Sequence, residues 1–279
     1  MKNVFKILCL IIGALFTSCD QNKANATLDY STKSDSALYS YNLGWKQIMD
    51  EGYYSKAEKS YRRALEYDPN FLVGQSVLAR LTRDLDERLA LYENLEANKS
   101  NITGDERLIL DVYLALTHFT NVREQNPDKA KKVIADVLQL AYDNFKIIVH
   151  KYPDQTYLKA EYIEILHSLY GPQASLDSLN ALTSNQQKDN PFLLGYSATI
   201  NAELENFDVA LQQAEQLESL MKNQSVPKPS VVYADIYFRM DSLMLAKKHI
   251  DFAYALDSLN VDAGRLKVKI DQELADRGM

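Results

Sequence analysis

In the stretch GYYSKAEKSYRRALEYDPN, which begins at Gly52, small, aromatic and helix-breaking residues lie at spacings that a lone helix does not need. An isolated amphipathic helix requires apolar residues along one stripe, but it does not require alanine at chosen positions. Ala57 and Ala64 are two helical turns apart with Tyr61 between them, so the three share one face. Glycine favours the left-handed backbone of a helix end, and Pro69 stops a helix. The stretch therefore predicts one helix of a closely packed pair.

The rest of the chain has a similar helical pattern. Apolar residues recur at intervals of three and four, and long alternating runs of β-branched residues are absent. Breaking residues such as Gly171-Pro172 divide the chain into helices of about 12 to 20 residues. A longer helix is expected from Asp128 to about His150. Because short connections make successive helices antiparallel neighbours, we predict an all-α fold from about Ser36 to the end.

Three segments share one pattern when they are aligned as units of about 34 residues. The first unit carries Tyr41, Gly52, Tyr54, Ala57, Tyr61, Ala64 and Pro69, the second Ala198, Phe207, Ala210, Ala214 and Leu217, and the third Tyr233, Ala234, Tyr237, Leu243, Ala246, Ile250 and Ala253. This pattern resembles the tetratricopeptide repeat. The resemblance implies that the two helices of each unit cross closely, with alanine leaving room at the crossing and tyrosine filling the groove beside it.

The first unit departs from the repeat pattern at one position, and the middle of the chain matches the pattern less closely. Trp45 stands where the repeat prefers a small residue, and the adjacent Gly44 indicates a shift of one residue in the first helix. Residues 104–153 form a pair of helices longer than the repeat. The resemblance implies a right-handed superhelix of about five or six stacked antiparallel hairpins, a TPR-like α-solenoid over residues 36–279, closed by a capping helix from about Asp262.

The N-terminal segment, residues 1–19, has the layout of a secretory signal. Two lysines precede an apolar run from Ile7 to Phe16, which is shorter than the roughly 20 residues that span a bilayer. The letters FTSC resemble a bacterial lipobox, which implies that Cys19 is lipid-modified. We therefore expect an exported protein, lipid-anchored to the bacterial cell envelope, with residues 20–35 as a flexible tether. The alternative is a plain signal peptide, which leaves Cys19 an ordinary thiol.

Composition excludes some classes of binding partner and some kinds of metal and disulfide chemistry. Both cysteines lie in the first 19 residues, so disulfides and thiolate metal sites are excluded from the rest of the chain. The net charge of −7 argues against nucleic acid and against an anionic membrane face as the main partner, since both favour a basic surface. No phosphate-binding loop, GxSxG motif or histidine pair at metal-ligand spacing is present. We predict a protein that is not an enzyme and that carries no cofactor or metal.

The binding surface of such a superhelix is usually the concave face, lined by the first helix of each hairpin. On this chain the resemblance assigns the following ligand-binding residues to that face: Tyr39, Asn42, Lys46, Met49, Arg80, Arg83, Asp235, Phe238 and Arg239. Lys46, Arg80 and Arg83 are expected to receive an acidic segment or a C-terminal carboxylate. The alternative is that these three cations only keep one face soluble.

The predicted function is a cell-envelope scaffold that binds a protein or peptide partner on the concave face. One alternative is a subunit of an outer-membrane protein assembly complex. In size, anchor and repeat content, the chain resembles the lipoprotein that helps to insert barrel proteins into the outer membrane. Another is a glycan-binding surface lipoprotein that uses some of the 18 tyrosines as a platform. That alternative predicts exposed tyrosines, whereas the repeat pattern predicts that Tyr54, Tyr61 and Tyr237 pack inside.

A short motif, Asp-Ser followed by an aliphatic residue, occurs four times. It begins at Asp35, Asp177, Asp241 and Asp257. It resembles an O-glycosylation sequon of certain Gram-negative bacteria that export glycoproteins. The alternative is N-terminal helix capping, which fits Asp35 and Asp241 because both stand where helices are predicted to start.

Overall fold

The computed structural model describes residues 27–222 and 225–278. Within these two ranges the chain forms 12 α-helices, a π-helical turn and a 3₁₀ turn, and no strand. The predicted all-α fold is confirmed. The signal segment 1–19 with its lipidation site Cys19, and the first part of the predicted tether, lie outside the described residues.

The helices follow one another with short connections. Their bounds are α1 Asp35–Lys46, α2 Tyr54–Tyr67, α3 Leu72–Leu81, α4 Leu85–Asn98, α5 Gly104–Gln125, α6 Pro127–Lys151, α7 Thr156–Leu182, α8 Pro191–Glu203, α9 Phe207–Met221, α10 Lys228–Arg239, α11 Leu243–Leu256 and α12 Val261–Asp276, with the π turn at Gln47–Glu51 between α1 and α2 and the 3₁₀ turn at Lys99–Asn101 after α4. Consecutive helices pack in pairs, most extensively α1 with α2, α5 with α6, α8 with α9 and α10 with α11. Alternate helices are also in contact: α3 packs against α5, and α8 packs against α10.

Local sequence explains most helix ends. Ser34, Asp84 and Asn260 each accept a hydrogen bond from a backbone N–H in the first turn that follows, which satisfies one free donor of the helix. The proposed capping by Asp35 and Asp241 is wrong. Asp35 is already inside α1, and Asp241 lies in the turn before α11 with a left-handed backbone, at φ 59°.

The break expected at Gly171-Pro172 is a kink inside α7. Gly171 has φ 84° and ψ 179°, far from helical values, and Pro172 follows it. Proline has no N–H to donate and clashes with the preceding turn, so the first half of α7 ends at the glycine. The second half, from Pro172 to Leu182, turns away from it.

Gly44 is the small residue at the crossing of α1 and α2. A Cβ added there would lie 2.4 Å from Cε1 of Tyr61, so only glycine lets the two helices approach this closely. The π turn between α1 and Gly52 places one extra residue in the helix, and Gly52 ends it at φ 76°. This extra residue is the physical basis of the one-residue shift indicated by Trp45, which is buried in the core instead of lying at the crossing.

The buried apolar residues of the described chain form three clusters along the helices, and the largest is rich in aromatic rings. Tyr41 contacts Trp45, Tyr61 and Phe71 edge-on or tilted, with ring centroids 5.2–6.3 Å apart. Tyr30 joins this cluster, 5.3 Å from Tyr41. Nearby, the amide and hydroxyl of Ser31 donate to Glu106, and the hydroxyl of Thr32 donates to Asp68. The predicted tether of residues 20–35 is therefore shorter than expected, since its last residues pack against the helices.

The two ends of the helical array meet. Nδ2 of Asn260, after α11, donates to the carbonyl of Gly52 at 2.8 Å, and Asp257 accepts from the amide of Ser55 at 2.9 Å. The hydroxyl of Tyr54 donates to Asp262 at 2.7 Å. We call this set of contacts, between residues 52–55 and residues 257–262, the clasp. It brings the first hairpin against the last helices and closes the array on itself.

Ala57 provides a test of the α1–α2 crossing. Its side chain is fully buried, so leucine at this position is expected to overpack the crossing and to lower the free energy of unfolding by roughly 1–3 kcal/mol. Urea denaturation of Ala57→Leu measures this. The matched control is Ala97→Leu on the exposed face of α4, which is expected to unfold like the unmodified chain. Equal stability of the two variants would contradict a close crossing at Ala57.

Candidate binding cleft

The three cations predicted to form one binding set have three separate partners. Nζ of Lys46 lies 3.4 Å from Oε1 of Glu51, within the first hairpin. Arg80 donates to a carboxylate on α7, and Arg83 donates to a backbone carbonyl in the turn between α11 and α12, both at 2.6 Å. The structure therefore does not gather Lys46, Arg80 and Arg83 into a single acceptor for an acidic segment.

The predicted residues of the first helix do not share one accessible inner face. Tyr39 is 70% exposed and lines a shallow outer groove with Arg63 and Tyr67 of α2, and Asn42 is also exposed. Met49 is only 7% exposed and belongs to the core, which corrects its assignment to an open binding face. The one-residue shift changes the side of the helix on which each position chosen from the repeat pattern lies, so Tyr39 and Asn42 face outward while Met49 faces the core.

The predicted residues of α10 belong to a polar network between helices. Nε of Arg239 donates to Asp235 at 2.9 Å, and its Nη2 donates to Glu203 of α8 at 3.2 Å. Glu203 also lies 3.3 Å from Nε2 of His167 on α7. Phe238 packs against the core cluster shared by α10, α11 and α12. Asp235 and Arg239 are therefore together, but their partners are other protein side chains.

A different set of side chains is related by the Tyr54–Asp262 hydrogen bond and by mutual effects on ionisation. We call it the central cleft: Tyr54 of α2, Arg80 of α3, Glu164 of α7, Lys228 of α10 and Asp262 of α12. All five keep some solvent access. Their charges act on one another, since Arg80, Lys228 and Asp262 all influence the ionisation of Glu164. Four helices thus contribute ionisable groups of opposite sign, and α2 contributes the Tyr54 hydroxyl.

The Lys228 side chain lies beside Gly195 and Phe192. A Cβ added to Gly195 would come within 4.0 Å of Cδ of Lys228, and the ammonium lies 4.3 Å from the ring centroid of Phe192. Burial lowers the pKa of Lys228, while the negative charges of Asp262 and Glu164 oppose this effect. Among the described residues the ammonium finds no hydrogen bond and no ion pair.

Glu164 is the carboxyl whose ionisation is most clearly altered. Burial, together with the negative charges of Glu161 and Asp262, raises the pKa of Glu164 to about 8, although Lys228 and Arg80 act in the opposite direction. Its carboxyl, like the Lys228 ammonium, has no hydrogen bond or ion pair to any described residue. At neutral pH this group is therefore mostly a neutral acid that still touches solvent.

Glu161 lies one turn before Glu164 on the same helix and is only 6% exposed. Its Oε1 accepts from Nη1 of Arg80 at 2.6 Å, and its Oε2 has no hydrogen-bond partner. Arg80 also stacks over Tyr113, with the guanidinium carbon 4.7 Å from the ring centroid. Burial works against the charged form of Arg80, but the Glu161 charge outweighs it and raises the pKa of Arg80. The pair is a buried salt bridge with one oxygen unsatisfied.

Tyr54 belongs both to the central cleft and to the clasp, since its hydroxyl binds Asp262. Burial and the adjacent Asp262 charge hold the pKa of Tyr54 well above its ordinary value, so its hydroxyl remains a donor to Asp262. A ligand that enters the cleft would meet an aspartate already held in place. The sequence pattern missed Glu164, Lys228, Asp262 and Tyr54 as a group, because the residues come from four distant segments and no local spacing connects them.

Other titratable groups lie away from the central cleft. His249 stacks on Tyr233 and Tyr237 at 5.0 and 5.6 Å, and burial lowers the pKa of His249. Within residues 27–222 and 225–278, no group of three or more His, Cys, Asp or Glu side chains is placed to hold a metal ion. In the same ranges, none of the helices combines the length and apolar character needed to cross a bilayer.

Comparison with known proteins adds no family assignment. No family model matches the chain, and no curated protein is significantly similar to it. The geometry of the central cleft and the sequence pattern are therefore the basis for the proposed function.

The raised pKa of Glu164 predicts a pH-dependent stability. Between the ordinary pKa of a glutamate and about 8, the folded chain keeps a proton that the unfolded chain has lost. The stabilisation is thus present in acid and is lost as the pH rises through about 8. We expect the free energy of unfolding to fall with pH more steeply in the unmodified chain than in Glu164→Gln, by up to about 1.4 kcal/mol per pH unit.

Urea titrations at a series of pH values from about 5 to 9 measure this difference. The matched control is Glu93→Gln on the exposed face of α4, which is expected to keep the slope of the unmodified chain. Other carboxyls with a raised pKa, such as Asp50 and Glu106, are common to all three proteins and cancel in the comparison. If Glu164→Gln and the unmodified chain give parallel curves, Glu164 is not desolvated as described.

Proposed function

We propose that this protein is a lipid-anchored scaffold of the bacterial cell envelope that binds a segment of a partner protein and performs no catalysis. The observation that carries the proposal is the central cleft. Four helices bring ionisable groups of opposite sign to this place, where neither the Lys228 ammonium nor the Glu164 carboxyl forms a hydrogen bond or an ion pair with a described residue. Ionisable groups with altered pKa values that no internal ion pair explains favour a binding site.

Close helix packing supports a TPR-like α-solenoid as the scaffold. The alanines assigned to helix crossings are fully buried, namely Ala57, Ala64, Ala210, Ala214, Ala246 and Ala253. Contacts between α8 and α10 and between α10 and α12 join the first helices of successive hairpins, as stacking requires. In this proposal the hairpins form a right-handed superhelix whose inner helices line the central cleft.

The location of the scaffold rests on the N-terminal sequence. The short apolar run followed by FTSC supports export and attachment through lipid on Cys19. An anchored scaffold meets partners that share its membrane surface, so a protein of the same envelope is the proposed partner.

Glycan binding is the second candidate, and one specific observation favours it. Tyr39 and Tyr67 are 70% and 46% exposed and line the same outer groove, where Arg63 donates to the Tyr67 hydroxyl at 3.1 Å. Exposed aromatic faces beside polar donors can stack on sugar rings. Against it, Tyr61 is buried and Tyr54 and Tyr237 are only partly accessible, so most of the tyrosines assigned to the repeat pattern offer no platform.

Affinity capture from detergent-solubilised envelopes of the native host tests the main proposal. The bait is the full chain, compared with the double variant Lys228→Gln/Glu164→Gln. We expect one envelope protein to be retained by the unmodified chain and lost with the double variant, because the variant removes both unpaired groups of the central cleft. Quantitative mass spectrometry of the retained proteins measures the loss.

The matched control is Lys132→Gln/Glu93→Gln, which changes the same residue types on exposed helix faces. This control is expected to retain the same partner. Equal retention by all three baits would place binding outside the central cleft. In that case the double variant Tyr39→Ala/Tyr67→Ala, assayed on immobilised glycans, tests the outer groove.

A further inference from the structure

The outer groove is a recess between α1 and α2, two helices that pack extensively on each other. It has a volume of about 420 Å³, which lies within the range of small-ligand sites. From α1 it is lined by Ser36 and Tyr39, and from α2 by Lys59, Arg63 and Tyr67. These positions are three or four residues apart on each helix, so each set shares one face. Regular helix geometry therefore holds the lining of the groove in place.

Both aromatic rings of the outer groove are open to solvent. Tyr39 is 70% exposed, and its ring contacts no other ring among the described residues. Tyr67 is 46% exposed, and the guanidinium carbon of Arg63 lies 5.7 Å from its ring centroid. In the same hairpin, Tyr41 and Tyr61 are buried in the core. The two exposed rings therefore have apolar surface that the fold does not use.

The two cations of the outer groove are not neutralised by any described residue. The Arg63 guanidinium donates to the neutral Tyr67 hydroxyl at 3.1 and 3.3 Å, and to no carboxylate. Lys59 is exposed and forms no hydrogen bond or ion pair. Asp35 also lines the groove, but it pairs with neither cation. On a chain with a net charge of −7, this groove therefore has a positively charged lining.

We propose that the outer groove binds an acidic sugar. A face of the sugar ring stacks on Tyr39 or Tyr67, and the sugar carboxylate pairs with Arg63 and Lys59. The inference goes beyond the scaffold proposal and rests on the second candidate function, for which it names the class of ligand. Two sources share this chemistry: uronic acid units of a polysaccharide, and a free sugar acid.

Charge and shape together favour an acidic sugar over the other ligands that a small groove admits. A neutral sugar would stack on the rings but leave both cations unused. An acidic peptide would pair with the cations, but its side chains offer no flat C–H face to the exposed rings. A sugar acid uses both features, and a guanidinium presents parallel donors that match the two oxygens of a carboxylate.

Isothermal titration calorimetry on the full chain in detergent tests the inference with defined probes. The acidic probe is trigalacturonate, its neutral counterpart is α-1,4-galactotriose, and the acidic control without a sugar ring is acetyl-Glu-Glu-Glu-amide. We expect trigalacturonate to bind about tenfold more tightly than either control, and its advantage over galactotriose to shrink at high salt. Galacturonic acid identifies the source: binding as tight as that of trigalacturonate indicates a free sugar acid, and weaker binding a polysaccharide.

Variants separate the contribution of the rings from that of the charges. Tyr39→Ala and Tyr67→Ala are expected to weaken trigalacturonate about fivefold in at least one case, and the corresponding phenylalanine variant to retain the affinity. The double variant Lys59→Gln/Arg63→Gln should bind trigalacturonate no better than galactotriose, with the affinity for galactotriose unchanged. Matched controls are Tyr170→Ala, which removes a tyrosine that is 56% exposed outside the groove, and Lys132→Gln.

Three outcomes would overturn the inference. Trigalacturonate binds no better than galactotriose, the glutamate peptide binds as tightly as trigalacturonate, or the tyrosine and cation variants all bind it like the unmodified chain. The proposed functions fail separately. Equal binding of acidic and neutral sugars that is lost in Tyr39→Ala/Tyr67→Ala would leave glycan binding in place and remove only the charge preference. The scaffold proposal is decided by the central-cleft variants, which leave the outer groove unchanged.

Discussion

The clasp is the contact on which the shape of the inner surface depends. Asn260 and Asp257 bind the backbone of residues 52–55, and Tyr54 binds Asp262, so segments from opposite ends of the chain are held within hydrogen-bond distance. Without this closure, α2 and α12 would lie at separate ends of an array of hairpins. With it, Arg80, Lys228 and Asp262 of distant helices come near enough to Glu164 to act on its pKa.

The local features of the fold could be predicted because their causes are local. Glycine, proline and apolar spacing located the long helix α6, the break at Gly171 and the final helix α12 from the sequence alone. The crossing of α1 and α2 was anticipated in part, since Gly44 beside Trp45 indicated a shift of one residue. The π turn that produces the shift could not be predicted, because it depends on how that turn packs against α2 and α8.

The central cleft could not be predicted for a related reason. Counting along the repeat assigned Lys46, Arg80 and Arg83 to one face, which assumes an open superhelix with each position in register. The π turn changes the register in the first hairpin, and closure brings the α11–α12 turn to Arg83. Closure depends on small rotations accumulated over every hairpin. Arg80 is a predicted binding residue that does belong to the central cleft, but its observed partners are Glu161 and Tyr113.

The energetics of the central cleft indicate that its ionisable groups contribute little to the stability of the fold. A buried salt bridge such as Arg80–Glu161 contributes little net stability, and well-packed apolar residues often replace such pairs at no cost. Lys228 and Glu164 are less favourable still, since burial disfavours the charged form of each and neither forms an ion pair that would offset the loss of hydration. Selection for stability alone would replace both with apolar residues.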